Sequence, residues 1–195
     1  MSYGQFESVE QVAGIFSIKV KDGSIIKSKS IEISELLLNN IERRLFNSLS
    51  FRNEATISNK VITPMLNIVE ENNKPLNLWI EEPFNVDKEK GLVGEPDYLI
   101  APATDCGGMA LPPLCIIEAK KQDWDQGWTQ ALAEMIAANI KGANVCYGVV
   151  TTGKIGQFSK LEDNIFIKVP SQISATRELQ AVFDTLNWVF TEVNN

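Results

Sequence analysis

Two rhythms of apolar spacing alternate along this chain: short runs in which every second residue is apolar, and longer runs in which apolar residues recur every three to four positions. The first marks half-buried strands and the second amphipathic helices. Phe16-Ser17-Ile18-Lys19-Val20-Lys21 alternates, Asp22-Gly23 is a hairpin turn signal, and residues 25–33 resume an extended pattern, so a β-hairpin is predicted there. Nothing periodic precedes it in residues 1–12. Ser34 and Glu35 open a helix whose Leu37, Leu38, Ile41, Leu45 and Phe46 share one side, running to about Ser50. A second helix is expected over residues 53–71, with Ile57, Val61, Leu66 and Val69 inward and a kink or break at Pro64. A third covers residues 128–141, with Leu132, Met135, Ile136 and Ile140 inward and Gln130 and Glu134 together on its other face.

Extended runs lie between these helices at 76–86, 97–100, 115–120, 145–151, 157–161 and 165–169, the last two a meander around Glu162-Asp163-Asn164. A closing helix spans residues 175–193. This order predicts an α/β fold, a mixed central sheet flanked by helices, in a single domain over residues 1–195. Its parts are an N-terminal hairpin and helix over 1–50, a core over 51–170 and a C-terminal helix over 171–195.

Two of the extended runs carry chemistry, Gly94-Glu95-Pro96-Asp97-Tyr98-Leu99-Ile100 and Cys115-Ile116-Ile117-Glu118-Ala119-Lys120-Lys121. A period of two sends Ile116, Glu118 and Lys120 to one face of the second run and Cys115, Ile117 and Ala119 to the other. Pairing the two runs brings Asp97 across from Glu118 and Lys120, two carboxylates and an ammonium in one small volume. Three apolar residues stand before Glu118, which implies a central strand, where a charge without a partner is costly. Mg²⁺ is served by one or two carboxylates together with substrate phosphate oxygens. Asp97, Glu118 and the carbonyl of Ala119 are therefore candidate ligands for Mg²⁺ or Mn²⁺, and Lys120 is placed to orient a water or steady developing charge. Lys120 is expected to be partly desolvated, so that truncating it relieves the fold.

Pro96-Asp97 followed by Glu118-Ala119-Lys120 resembles the PD-(D/E)XK nuclease superfamily. The run from Glu54 to Leu66 resembles the acidic residue and I-x-P-x-L helix of the N-terminal nuclease domain of type I restriction enzyme motor subunits. Gln130 is similar to the glutamine of the helix after the catalytic lysine, and Tyr147-Gly148-Val149-Val150-Thr151-Thr152-Gly153 with Gln157-Phe158 to that family's strand and hairpin. The resemblance covers roughly residues 54–169. It implies a restriction-endonuclease-like fold, DNA phosphodiester hydrolysis, metal ligation by Asp97 and Glu118 with Glu54 as a further candidate, and catalytic roles for Glu54, Asp97, Glu118, Lys120 and Gln130.

Composition narrows this picture. The chain has no histidine, which excludes histidine bases, Ser-His-Asp and Cys-His triads and most transition-metal sites. Cys106, Cys115 and Cys146 have neither disulfide-framework nor zinc spacing. No signal-peptide pattern and no run of eighteen apolar residues occurs, so a cytoplasmic protein with no membrane span is expected. The net charge of -7 runs against a protein that grips DNA unaided. Weak DNA binding by the isolated chain is expected, with a protein partner from a restriction or repair system, or a homodimer, supplying more. Lys121, Lys141, Lys154 and Lys160 are able to contact phosphates, but scattered lysines of this kind usually make a solvated face, and they are read as one. The rival reading is a non-catalytic nuclease-like domain that binds a protein partner or nucleic acid.

Overall fold

The computed structural model describes residues 2–194. Among them eight strands, β1 Lys19–Asp22, β2 Leu76–Ile80, β3 Tyr98–Pro102, β4 Cys115–Ala119, β5 Val145–Thr151, β6 Ile155–Glu162, β7 Ile165–Lys168 and β8 Ile173–Ser174, join in one sheet. Their order is β1-β7-β6-β5-β4-β3-β2, with β8 pairing β6. β1 with β7 and β4 with β5 run parallel and the other pairs antiparallel. Parallel neighbours need a crossover, and for β4 and β5 it is helix α5, Trp124–Ile140.

The period of two in β4 divides the core as its sequence implies. Cys115, Ile117 and Ala119 join the apolar layer with helices α4 Thr63–Glu71 and α6 Leu179–Val193, while Ile116 joins the layer with α5 and helix α1 Val9–Phe16. Helix α5 lies close on the sheet at Gly127, where a Cβ would meet Val150 Cγ1 at 2.7 Å and Lys120 Cγ at 3.0 Å. Any larger residue would lift the helix from β5 and from the stem of Lys120.

Several expectations are corrected. The N-terminal hairpin is absent: β1 pairs parallel with β7, and Gly23 serves close approach, since its Cβ would stand 2.7 Å from Ile167 Cγ2. The segment after Asp22 is irregular, because α6 satisfies its backbone in place of a strand. Ile31 N donates to Asp184 Oδ1, and Ile31 O and Lys29 O accept from Gln180 and Asn187. Residues 1–12, read as aperiodic, contain the start of α1, capped by Ser8, whose Oγ accepts from Gln11 N.

Helix α2, Glu35–Leu45, is capped by Ser34 as predicted, but Phe46 and Leu37 are exposed rather than inward. The helix expected over 53–71 is divided into α3 Glu54–Ile57, a π-helical turn Ser58–Ile62 and α4. Pro64 has no N–H for Lys60 O, and Arg44 donates to that carbonyl at 3.1 Å. The expected C-terminal helix over 171–195 begins only at Leu179, and residues ahead of it form β8. The β6–β7 turn holds Asp163 and Asn164 at φ 50° and 58°, the left-handed conformation that tight hairpins need.

Candidate active site

Asp97 lies one residue before β3, whose register pairs Tyr98 with Ile117, and so comes beside Glu118 at the end of β4. Asp97 N donates to Glu118 Oε1 at 3.3 Å, and Ala119 N donates to Asp97 Oδ2 at 2.8 Å. Lys120 N extends the parallel ladder to Thr151 O. Its Nζ donates to Glu118 Oε2 at 3.0 Å and stands 4.0 Å from Asp97 Oδ2. The alternation read from the sequence therefore delivers the three charged groups to one corner.

Burial sets their electrostatics. Glu118 is 1% exposed, and the Lys120 side chain 10%. Burial and then the Glu118 charge push Asp97 up to about 7, against the Ala119 N–H and Lys120, which favour its ionised form. Burial opposes the charge on Lys120, but Glu118 and Asp97 outweigh it and its pKa is raised. The lysine is thus an ammonium at neutral pH, a donor rather than a base.

Glu54, in the first turn of α3, reaches the same corner from the other side. Its Oε1 accepts from Lys121 N at 3.0 Å. Glu54, Asp97 and Ala119 line an open cleft of about 320 Å³, together with Glu81, Thr63 and Tyr98. Thr63 Oγ1 and Tyr98 OH are hydrogen-bonded at 3.0 Å behind it. Gln130 is half-buried on α5 and does not line this cleft.

Sequence reading missed two acids. Glu134 was expected on a polar face with Gln130, but α5 is covered nearly all round and Glu134 is 1% exposed. Burial and then the Glu118 charge, with a hydrogen bond to Glu118, push its carboxyl well above the usual range, favouring the protonated form. The signal was available in Ala131, Ala133, Ala137 and Ala138, small residues on every side of a helix that packs closely. Ile140, expected inward, is half exposed. Glu81, inside the run expected to be extended over 76–86, takes φ 51°, and its N donates to Asp97 O at 3.2 Å.

The donor set is hard oxygen without histidine or a neighbouring thiol. Among the described residues no group of three or more His, Cys, Asp or Glu side chains is set to hold a metal ion. Two carboxylates and a backbone carbonyl are still the kind of set that suits Mg²⁺, which keeps waters and takes further oxygens from a substrate. The residues fit such an ion, and a cation there would relieve the repulsion that raises Asp97.

No family model and no curated protein matches this chain. Among solved structures, a chain of the DrdV–DNA complex, determined by cryo-electron microscopy, matches 80% of this chain with a TM-score of 0.51 and 13% identity. This chain spans only 14% of the length of that one. At such identity the likeness concerns architecture. The fold is restriction-endonuclease-like, a mixed α/β sheet flanked by helices. No helix among the described residues is long and apolar enough to cross a membrane.

Proposed function

We propose that this chain is a nuclease of the PD-(D/E)XK kind, hydrolysing DNA phosphodiesters with Mg²⁺ or Mn²⁺. The observation that carries this reading is the convergence of Glu118 and Lys120 on Asp97, which itself lines an open cleft and is raised to about 7. Perturbed carboxylates in a cleft are the usual mark of a chemical site. The DNA-bound state of the DrdV structure and the shared fold support DNA as the substrate class.

Asp97, Glu118 and the Ala119 carbonyl would hold the ion, with Glu54 at the rim as a further oxygen donor. The chemistry such an ion supplies is charge neutralisation and a more acidic water. The chain's own residues do the rest. Glu118 holds the Lys120 ammonium at 3.0 Å, where it can donate to the attacking water or to a phosphate oxygen as charge builds. Ala119 N and Lys120 favour the ionised form of Asp97, opposing burial and the Glu118 charge. Glu134 closes the back of Glu118 without adding a full negative charge.

A second reading, a nuclease-like domain that binds DNA or a protein partner without cutting, is favoured by two observations: Lys120 is already satisfied by Glu118, and among the described residues no group of three or more acid, histidine or cysteine side chains is set to hold a metal ion. A plasmid-nicking assay with Mg²⁺ and with Mn²⁺ separates the two. Wild type is expected to nick, and Asp97→Asn, Glu118→Gln and Lys120→Ala to lose orders of magnitude, with circular dichroism confirming that each is folded. Equal nicking by all four would expose a contaminant, and a folded but inert wild type would favour the binding reading.

A further inference from the structure

Beside the acidic corner lies a second cleft of about 220 Å³, lined by Phe51, Ile57, Lys121, Gln122, Thr152 and Lys154. The Glu54–Lys121 hydrogen bond divides it from the Asp97 cleft. Three segments build it: the turn after β4, the β5–β6 turn and the entry to α3. None is loose. Lys121 Nζ donates to Arg52 O at 3.1 Å, tying the end of β4 to the residue before the Asn53 cap. Lys154 Nζ stands 4.3 Å from the centre of the Phe51 ring, held by a cation–π contact. Gly153, at φ 78°, lets the β5–β6 turn approach α3 so closely that a Cβ would meet Ile57 Cγ2 at 2.8 Å.

The charge of this cleft is the unexplained part. In a chain of net charge -7, neither Lys121 nor Lys154 has a carboxylate within ion-pair distance among the described residues. Both keep ammonium donors free to face an anion, beside a threonine hydroxyl and a glutamine amide. Lys121 follows Ala119 by two residues, so their Cα atoms are no more than about 7 Å apart. An anion on the lysines is therefore adjacent to the group held at Asp97 and Glu118. A diester approaching two carboxylates is repelled unless cations stand next to it.

We infer that Lys121 and Lys154 form a phosphate-binding shelf for a nucleic-acid strand, gripping a backbone phosphate close to the one presented to Asp97 and Glu118. The inference rests on the proposed function for its direction, but it concerns binding and is tested without catalysis. A fluorescein-labelled DNA duplex is titrated with the full chain in EDTA at several salt concentrations, followed by anisotropy. Lys121→Ala/Lys154→Ala is expected to bind about tenfold more weakly and to lower the salt slope by about 1 for each phosphate contact removed. Lys154→Ala alone, which leaves the Lys121–Arg52 tie intact, is expected to show part of the loss. Lys27→Ala, at an exposed position elsewhere on the chain, is expected to leave both quantities unchanged.

Unchanged affinity and slope in the double variant, or an equal loss in Lys27→Ala, would overturn the shelf. Wild type that binds no duplex at low salt, while inorganic phosphate alone raises Tm through these lysines, would make it a free-anion site and overturn it as well. Lysine-dependent binding by a wild type that never cleaves would support the shelf and remove the catalytic reading. Asp97-dependent cleavage with lysine-independent binding would remove the shelf alone.

Discussion

The molecule contains the same motif twice. Glu118 and Lys120 stand two residues apart at the end of β4, their ion pair 3.0 Å long; Lys160 and Glu162 stand two residues apart at the end of β6, theirs 2.7 Å long. By residue type, spacing and distance the two are nearly equivalent. They differ in burial: Glu118 and Lys120 are 1% and 10% exposed, Lys160 and Glu162 20% and 42%. An exposed pair gains little over its hydrated charges. A buried one must recover the cost of removing both charges from water, and does so only if geometry and further hydrogen bonds are good. Here Glu118 also accepts from Asp97 N, and it sits against Asp97 and Glu134. A fold that needed only a strand end would use the second arrangement. The first concentrates acids where stability alone does not call for them, and that contrast, rather than the presence of an ion pair, marks the corner as the candidate site.

The comparison breaks most sharply at Lys120. Its truncation leaves Glu118 buried without a cation, a loss of about 3–5 kcal/mol by analogy with other buried pairs. The sequence-based expectation that removing the lysine relieves the fold is therefore reversed, because the ammonium is paired rather than stranded. Lys120→Ala is expected to lower Tm by roughly 10 °C in thermal unfolding at neutral pH. A Tm within a degree of wild type would mean that the buried pair behaves like the exposed one.

How far the sequence foretold this corner depends on which interactions made it. Asp97, Glu118 and Lys120 were legible because strand alternation is local: once Ile116 faces one layer, Glu118 and Lys120 must follow. The Glu54 contact was legible only through a resemblance, since no local rule brings the start of a helix to a strand 67 residues away. Glu134 was misjudged because amphipathicity presumes one solvent face, and α5 has almost none. The false hairpin shows the converse. Asp22-Gly23 is a strong turn signal, yet the glycine was needed for Ile167, a contact that sequence spacing does not reveal.

Asp97 offers an intermediate test that sharpens the contrast. With its folded value raised from 3.8 to about 7, its contribution to stability is fully present below pH 4 and is lost as pH rises through 7. Because 35% of the side chain is exposed, solvent screens much of the penalty, leaving on the order of 1 kcal/mol. Asp97→Asn keeps an acceptor for Ala119 N and removes the titration. It is expected to match wild type near pH 4 and to exceed it by about 2–4 °C in Tm near pH 8. Mg²⁺ is expected to raise the wild-type Tm more at pH 8 than at pH 6, as the ion competes with the proton, and to leave Asp97→Asn unmoved. A Mg²⁺ response that survives Asp97→Asn would place the ion elsewhere.

Lys160 supplies the smallest expected effect and the control for the rest. Its truncation leaves Glu162, 42% exposed, free to be hydrated, so no stranded charge results. The change is expected to stay within about 0.2–1 kcal/mol, a Tm shift of a few degrees at most, and to shrink further as salt screens the pair. Lys160 lies where β6 pairs Tyr147 of β5, at the other end of that strand from Thr151, which anchors Lys120 N. Nicking and duplex binding are therefore expected to be indifferent to it. The measurement is a salt series of thermal melts on Lys160→Ala beside Lys120→Ala. A salt-insensitive loss at Lys160 approaching that at Lys120 would show that the i,i+2 ion pair is a structural device of this sheet, and burial at β4 would lose its standing as the mark of a site.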